Sequence, residues 1–297
     1  MLILITGASG FLGRIICQKF TPNIRTLGRT SFSDICSDLS KEIPKLCKCD
    51  LVIHAAGKAH SVPKTAIEKK QFYVVNIDGT LNLLKGLEKS GLPKMFVFIS
   101  SVSVYGQESG INITENHPLE AKDPYGLSKI EAERIILHWC KLNNVVCTIL
   151  RLPLLVGEKP PGNLGAMLKA IGKGYYFNIA GGKAKKSMVL AQDVANFISK
   201  VAAVGGIYNL TDGLHPSFSE LSSAISKQEK KKIPLNLPFF IAKLMGYGGD
   251  IFGDKVPINS SKIRKITSDL TFDDSKARDL VGWQPQSVLE YLKSNSL

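Results

Sequence analysis

The stretch "DPYGLSK" (123–129) sets a tyrosine, Tyr125, four positions before a lysine, Lys129. Residues four apart on a helix share a face, so this phenol and this ammonium can act on one small molecule. A phenol titrates at about 10, so proton transfer by Tyr125 near neutral pH calls for a charged neighbour. Such a pair also arises by chance on helix surfaces. A catalytic pair requires two more things of the chain: a seat for a cofactor and a second hydrogen-bond donor.

The seat is "TGASGFLG" (6–13), with glycines at 7, 10 and 13. It follows the apolar run "LILIT" (2–6) and opens the helically spaced "FLGRIICQKF" (11–20). Between a strand and a helix, Gly7 permits a tight turn, Gly10 lets the backbone approach a pyrophosphate, and Gly13 lets the helix pack closely on the sheet. The helix N-terminus then aims unpaired N–H groups at the phosphates. The second strand ends in "TLGRTS" (26–31). An acidic residue there would hold the ribose 2′-hydroxyl of NAD, and there is none. Arg29 stands there instead, beside Thr30 and Ser31. Its guanidinium suits a 2′-phosphate, so NADP(H) is the preferred cofactor and NAD(H) the alternative.

The elements that must hold these residues alternate through the N-terminal half. Strand candidates are "IRTL" (24–27), "DIC" (34–36), "LVIHAA" (51–56), "MFVFISS" (95–101) and "VVCTILRL" (145–152). Residues 66–91 and 127–144 read as helices. Apolar runs with helices between them predict an α/β fold, a Rossmann-like doubly wound parallel sheet covered on both faces. After Arg151, residues 153–165 are rich in Pro and Gly and read as loop. Residues 187–202 read as a strand and helix returning to the main domain, and beyond about 213 the chain reads as short helical pieces. The expected division is a dinucleotide domain at 1–155 and 187–212, and a smaller, mainly C-terminal substrate domain at 156–186 and 213–297. "FFIAKLMGYGGDIFG" (239–253) is expected to pack inside that second domain, because its glycines interrupt an amphipathic face. Contact with a membrane surface is the alternative.

The 297 residues, 44% hydrophobic and 21% charged, are ordinary globular composition. The net charge of +13 fits nucleic acid, an anionic membrane or a phosphate-bearing ligand. No nucleic-acid motif occurs and no aromatic residues interleave with the basic ones. The run "KQEKKK" (227–232) reads as a solvated helix end. No apolar run of about eighteen residues occurs, so no integral membrane segment is expected. No signal-peptide pattern is read ahead of the first strand, so none is expected. The six cysteines read as buried free thiols of a cytoplasmic protein. Cys47 and Cys49 form C-x-C without further ligands, so no metal is expected.

The chain resembles the extended short-chain dehydrogenase/reductases, the NAD-dependent epimerase/dehydratase family acting on nucleotide sugars. The matches are "TGASGFLG", "LVIHAAG" (51–57), "NIDGTLNLL" (76–84), "FVFISSVSVYG" (96–106), "DPYGLSK" and "LTFDDSKARDLVGWQPQ" (270–286), in family order. The resemblance implies that Tyr125 and Lys129 are the catalytic couple, with Lys129 on the nicotinamide ribose and its charge favouring tyrosinate. It implies Ser101 as the third member, hydrogen-bonded to the substrate oxygen that changes charge, with Ser100 as its look-alike neighbour. It further implies cofactor contacts at Ser9, Phe11 and Leu12 in the glycine loop, Asp38 and Leu39 near the adenine, Ala55, Ala56 and Gly57 at a strand end, and Asn76 and Pro153. Asn163 and Leu164 match a segment that contacts the nucleotide-sugar diphosphate. Lys186 matches a position where the family has arginine, and would serve as a point charge there; a solvated loop charge is the other reading. A homodimer through the helices at about 76–90 and 127–143 is implied by analogy.

Family dehydratases carry an Asp-Glu pair beside the catalytic serine. Here Val102 and Ser103 occupy those places, which argues against 4,6-dehydration. A UDP-sugar 4-epimerase with retained NAD and a 4-keto reductase remain. "HAAGKAH" (54–60), "TENHPLEAKDPYGLSK" (114–129) and "RLPLLVGEKPPGNL" (151–164) resemble the subgroup of UDP-N-acetylquinovosamine 4-reductases of bacterial surface-polysaccharide synthesis, which also contains 4-epimerases. Pro153 and Leu154 follow the "LR" strand as in that subgroup. With Arg29, this favours reduction by NADPH of a UDP-4-keto-6-deoxy-N-acetylhexosamine. A non-catalytic NADP(H)-binding sensor is the alternative of another class, and the joint presence of Ser101, Tyr125 and Lys129 argues against it.

Overall fold

The computed structural model describes residues 1–59, 63–250 and 259–294. His60 and the end of the apolar stretch at 239–253 lie outside the described residues. The chain runs through β1 (Ile3–Thr6), α1 (Phe11–Phe20), β2 (Ile24–Gly28), β3 (Ile35–Cys36), β4 (Leu51–His54), α2 (Ala66–Tyr73), α3 (Gly79–Ser90) and β5 (Met95–Ser101). It continues through β6 (Gly110–Ile113), α4 (Pro124–Leu142), β7 (Val146–Leu152), β8 (Leu154–Val156), α5 (Gly162–Gly172), β9 (Asn178–Ile179), β10 (Met188–Leu190), α6 (Ala191–Val201) and β11 (Gly206–Asn209). The last part holds α7 (Phe218–Gln228), β12 (Asn236–Leu237), α8 (Phe239–Asp250), α9 (Ser260–Thr267), β13 (Leu270–Phe272), α10 (Ser275–Val281) and α11 (Val288–Ser294).

Seven strands form one parallel sheet in the order β11-β7-β5-β4-β1-β2-β3. This is the Rossmann-like doubly wound sheet expected. Successive side chains point to opposite faces, and the core follows that alternation. Ile3 and Ile5 join Leu12 and Ile16 of α1 and Val194 and Ile198 of α6 on one face. Leu4 between them joins Leu83 and Leu87 of α3 and Ile136 and Trp139 of α4 on the other. The strand order reverses between β1 and β4, which opens a crevice at their C-terminal ends, where such folds bind ligands. A further core joins α5, α7 and α11 through Met167, Ile225 and Leu292, with β8 and β10 paired beside it.

Several elements differ from expectation. Residues 153–165 are not all loop: β8 occupies 154–156, and α5 starts at Gly162, which has a φ of +66°. The helix expected at 127 starts at Pro124. Asp123 accepts from the Tyr125 and Gly126 N–H groups, both at 3.0 Å, and proline at the first helical position has no N–H to leave unpaired. The long helix at 66–91 is interrupted by a π-helical turn, Val74–Asp78. Cys36 and Cys47 are exposed rather than buried. The large side chains of 239–247 do not pack inward: α8 buries Ala242 and Gly246 while its Phe, Leu and Met side chains stand in solvent. The lysine run does end a helix, past Gln228. No helix among the described residues is long and apolar enough to cross a membrane.

Candidate active site

The glycine loop sits at the crevice. Gly7 has a φ of +75°, and a Cβ there would lie 2.6 Å from the Ala56 nitrogen. A Cβ at Gly13 would lie 2.0 Å from the Gly7 oxygen, so glycine is what lets α1 start this close to β1. A Cβ at Gly10 would meet only the Gly7 oxygen, at 3.2 Å, so space lies open in front of it. Gly10 caps α1 without a side chain, and the first turn holds no acid. The first N–H groups of α1 are thus left for an anion, and the cradle fits a dinucleotide pyrophosphate. Ser9 and Gly10 are exposed and Phe11 is half-buried. The Leu12 side chain belongs to the core, so only its backbone can reach the loop.

Arg29 follows β2 and is exposed. The nearby carboxylate of Asp34 is turned back on the strand, accepting from the Thr26 N–H and hydroxyl, both at 2.8 Å. Asp38 accepts from the Ser40 hydroxyl at 2.7 Å and the Ser40 N–H at 3.1 Å. Those bonds hold its carboxyl below the usual range, with Lys41 and Arg29 adding charge. Arg29 and Asp38 therefore share one rim. The Leu39 side chain is buried, and its carbonyl accepts from Asn82 Nδ2 at 2.8 Å.

Ala55, Ala56 and Gly57 extend from β4 beside the glycine loop. Beneath them runs a buried chain of hydrogen bonds. The Ala56 N–H donates to Thr6 Oγ1 at 3.1 Å, and Thr6 Oγ1 meets His54 Nδ1 at 2.7 Å. His54 Nε2 meets Thr80 Oγ1 at 3.0 Å, and Thr80 donates to the Asn76 carbonyl at 2.6 Å. Because Thr80 gives its proton to Asn76, it accepts from His54, which assigns the Nε2–H tautomer. Asn76, in the π turn, donates to Ser128 Oγ at 2.8 Å, and Ser128 donates to the Tyr125 carbonyl at 2.8 Å. Single π turns recur at functional sites. Here the turn aims Asn76 at both the Gly57–Lys58 segment and α4: Asn76 Oδ1 accepts from the Lys58 N–H at 2.7 Å.

The couple that opened the sequence analysis stands on the first two turns of α4. Lys129 is buried; its Nζ donates to the Ile99 carbonyl at 2.9 Å and lies 4.5 Å above the Phe98 ring. Burial pulls its pKa down to about 8, against the opposing charge of Glu133. A Cβ at Gly57 would come 3.3 Å from Nζ, so that backbone must stay bare for the lysine to reach the crevice. Ser101 ends β5, with its Oγ accepting from the Ser103 N–H at 3.2 Å. Burial raises the Tyr125 phenol above its ordinary range, Ser101's hydrogen bond opposes that, and Asp123 adds to it. The phenol is thus raised, where Lys129 was expected to lower it.

Ser100 faces the other way and donates to Glu133 Oε1 at 2.5 Å. Glu133 and Arg151 form a buried ion pair at 2.8 Å, and Arg151 also donates to the Tyr105 hydroxyl at 3.1 Å. Sequence reasoning missed this pair, although Glu133 follows Lys129 by four residues on one helix face. It also missed Ser103, whose Oγ is buried with no partner among the described residues. No carboxylate adjoins Ser101 at 102 or 103. Pro153 is half-buried at the break between β7 and β8, and Asn163 is exposed in the first turn of α5. Leu164 is buried in the α5 core, so its side chain is not available to a ligand. Lys186 is neither a free point charge nor a solvated one: Nζ donates to the Lys265 and Ser268 carbonyls, both at 2.9 Å, at the end of α9.

The model of the NAD dependent epimerase/dehydratase family matches residues 3–211. The chain belongs to that family. It is 30% identical over 296 residues to N-acetyl-alpha-D-glucosaminyl-diphospho-ditrans,octacis-undecaprenol 4-epimerase of Escherichia coli O157:H7, covering 92% of this chain and 88% of the relative. It is 33% identical over 147 residues to GDP-6-deoxy-D-mannose reductase of Pseudomonas aeruginosa, covering 46% of each. The solved UDP-glucose 4-epimerase of Thermotoga maritima superposes with a TM-score of 0.76 at 21% identity, over 99% of this chain and 96% of that one; this likeness shows the fold.

The protein is therefore an NAD(P)-dependent enzyme of the epimerase/dehydratase family. Its arrangement can seat a dinucleotide along the glycine loop, the Arg29 rim and the β4 end. It can also present a hydroxyl, a phenol and an ammonium at the end of β5.

Proposed function

We propose that this enzyme uses NADPH to reduce the C4 ketone of a UDP-4-keto-6-deoxy-N-acetylhexosamine, in bacterial surface-polysaccharide synthesis. One observation carries the cofactor choice: the guanidinium at the end of β2 is exposed, while the nearby Asp34 carboxylate is engaged with Thr26. When bound, NADPH supplies the hydride that reaches C4. Ser101 orients the ketone oxygen, and Tyr125 gives that oxygen its proton. The raised phenol supports this role, because a proton donor must hold its proton at working pH. Lys129 holds the ribose, with Asn76, Gly57 and Pro153 lining the nicotinamide end. Asn163 contributes to the diphosphate site, and Lys186 supports it by fixing the end of α9. The basic surface favours a doubly charged nucleotide sugar.

The test is NADPH oxidation by the purified protein on adding a UDP-2-acetamido-2,6-dideoxy-4-ketohexose, with NADH alongside. Turnover that prefers NADPH is expected. No oxidation of either cofactor refutes the reductase and favours a 4-epimerase with retained NAD. The Escherichia coli relative, named for 4-epimerisation of a sugar on a diphospho-lipid, supports that second reading, so UDP-GlcNAc and a polyprenyl diphosphate sugar would be assayed next. Full biological activity in a Tyr125→Phe variant would favour a non-catalytic NADP(H) sensor.

A further inference from the structure

We propose that α8 and the lysine run before it form a docking surface for an anionic phospholipid membrane. On α8, Phe240, Leu244 and Tyr247 follow at i, i+4 and i+7, so they lie along one face. They are 65%, 66% and 54% exposed. The opposite face holds the helix to the protein. Ala242 and Gly246 are its buried residues, and a Cβ at Gly246 would lie 2.6 Å from Ile263 Cδ1 of α9. The glycine that breaks the pattern in sequence is thus the close-packing point, and it leaves the apolar stripe whole on the outside. Phe239 and Met245 widen the stripe, at 49% and 46% exposed.

Charge identifies the occupant. Lys230, Lys231 and Lys232 are exposed a few residues upstream, and none pairs with a carboxylate among the described residues. Lys243 lies on the same helix, with Nζ over the Tyr247 ring at 5.6 Å from its centroid, so a cation stands beside the aromatic part of the stripe. A stripe of Phe, Leu and Tyr that carries Lys243 and follows an exposed lysine run in the chain matches an interfacial helix, whose apolar side enters the headgroup boundary while cations meet anionic lipid. A second copy of this chain is a poorer match, because it would bring the Lys243 charge of each copy to the same stripe. Contiguous exposed apolar surface of this kind marks an interaction site.

The test is co-sedimentation of the full chain with phosphatidylcholine vesicles, with and without phosphatidylglycerol, together with sedimentation velocity. Binding on the order of a hundredfold or more stronger to the phosphatidylglycerol vesicles is expected, weakening as salt rises. A basic residue at an anionic surface changes affinity about fivefold, so Lys230→Gln, Lys231→Gln and Lys232→Gln combined should cost on the order of a hundredfold. Phe240→Ser with Leu244→Ser should abolish binding while leaving circular dichroism and NADPH affinity unchanged. The proposal is overturned if wild type binds neither vesicle, or if it binds both equally. It is also overturned if both variants bind like wild type, or if the apolar variant only converts a dimer to a monomer. The lysine variant keeps the question decidable should the apolar one fail to fold.

Discussion

His54 is 2% exposed and fully hydrogen-bonded as a neutral ring between Thr6 and Thr80. Burial, helped by the charge of Lys129, holds its pKa down at about 3, against 6.5 for an ordinary histidine. Between those values the unfolded chain takes up a proton that the folded protein refuses. Stability at this site is therefore fully present above pH 6.5 and is lost as pH falls toward 3, by about 1.4 kcal/mol per pH unit and about 5 kcal/mol in all. Glutamine at this position can still donate to Thr80 and accept from Thr6, but it does not titrate. Urea unfolding of wild type and His54→Gln at pH 7.5 and pH 4.5 isolates the effect, since the other carboxylates and histidines are common to both. Wild type should lose about 3 kcal/mol more than the variant over that interval. Equal losses, within about 0.5 kcal/mol, would refute the assignment of a neutral buried ring.

Three further outcomes are expected. Gly13→Ala places a methyl against the Gly7 carbonyl, so unfolding free energy should fall by about 1–3 kcal/mol and NADPH affinity should drop in fluorescence titration; an unchanged variant refutes the packing role. Glu133→Gln leaves Arg151 buried without its counter-charge, costing roughly 3 kcal/mol in urea unfolding. It also removes the charge that supports Lys129, so the alkaline limb of the pH–rate profile should move to lower pH. Arg29→Ala should raise the KM for NADPH about 10–100-fold, the worth of a charge-assisted bond to phosphate, while leaving the KM for NADH within about twofold.

Much of the fold was legible because its signals are local. Apolar runs of strand length, helical spacing between them and a glycine-rich turn gave the sheet, its order of elements and the seat at Gly7–Gly13. What was not legible depends on partners distant in sequence. Residues 154–156 became a strand only by pairing with 188–190. The helix expected from 127 starts at Pro124, where Asp123 caps it. Lys186 found carbonyls 79 and 82 residues away, and Glu133 found Arg151 on a different element. The outward face of α8 was missed because a glycine was read as an interruption, when its close approach to α9 is what turns the aromatic side chains outward.

Asp123 performs two tasks with different requirements. Ending the helix needs only an oxygen acceptor for the Tyr125 and Gly126 N–H groups. The negative charge is surplus to that task, and it acts on the phenol by making its proton harder to lose. A serine or asparagine would cap as well and would release that hold. The ionisation of this phenol can thus be retuned by exchanging a residue whose side-chain bonds, among the described residues, are to its own backbone neighbours.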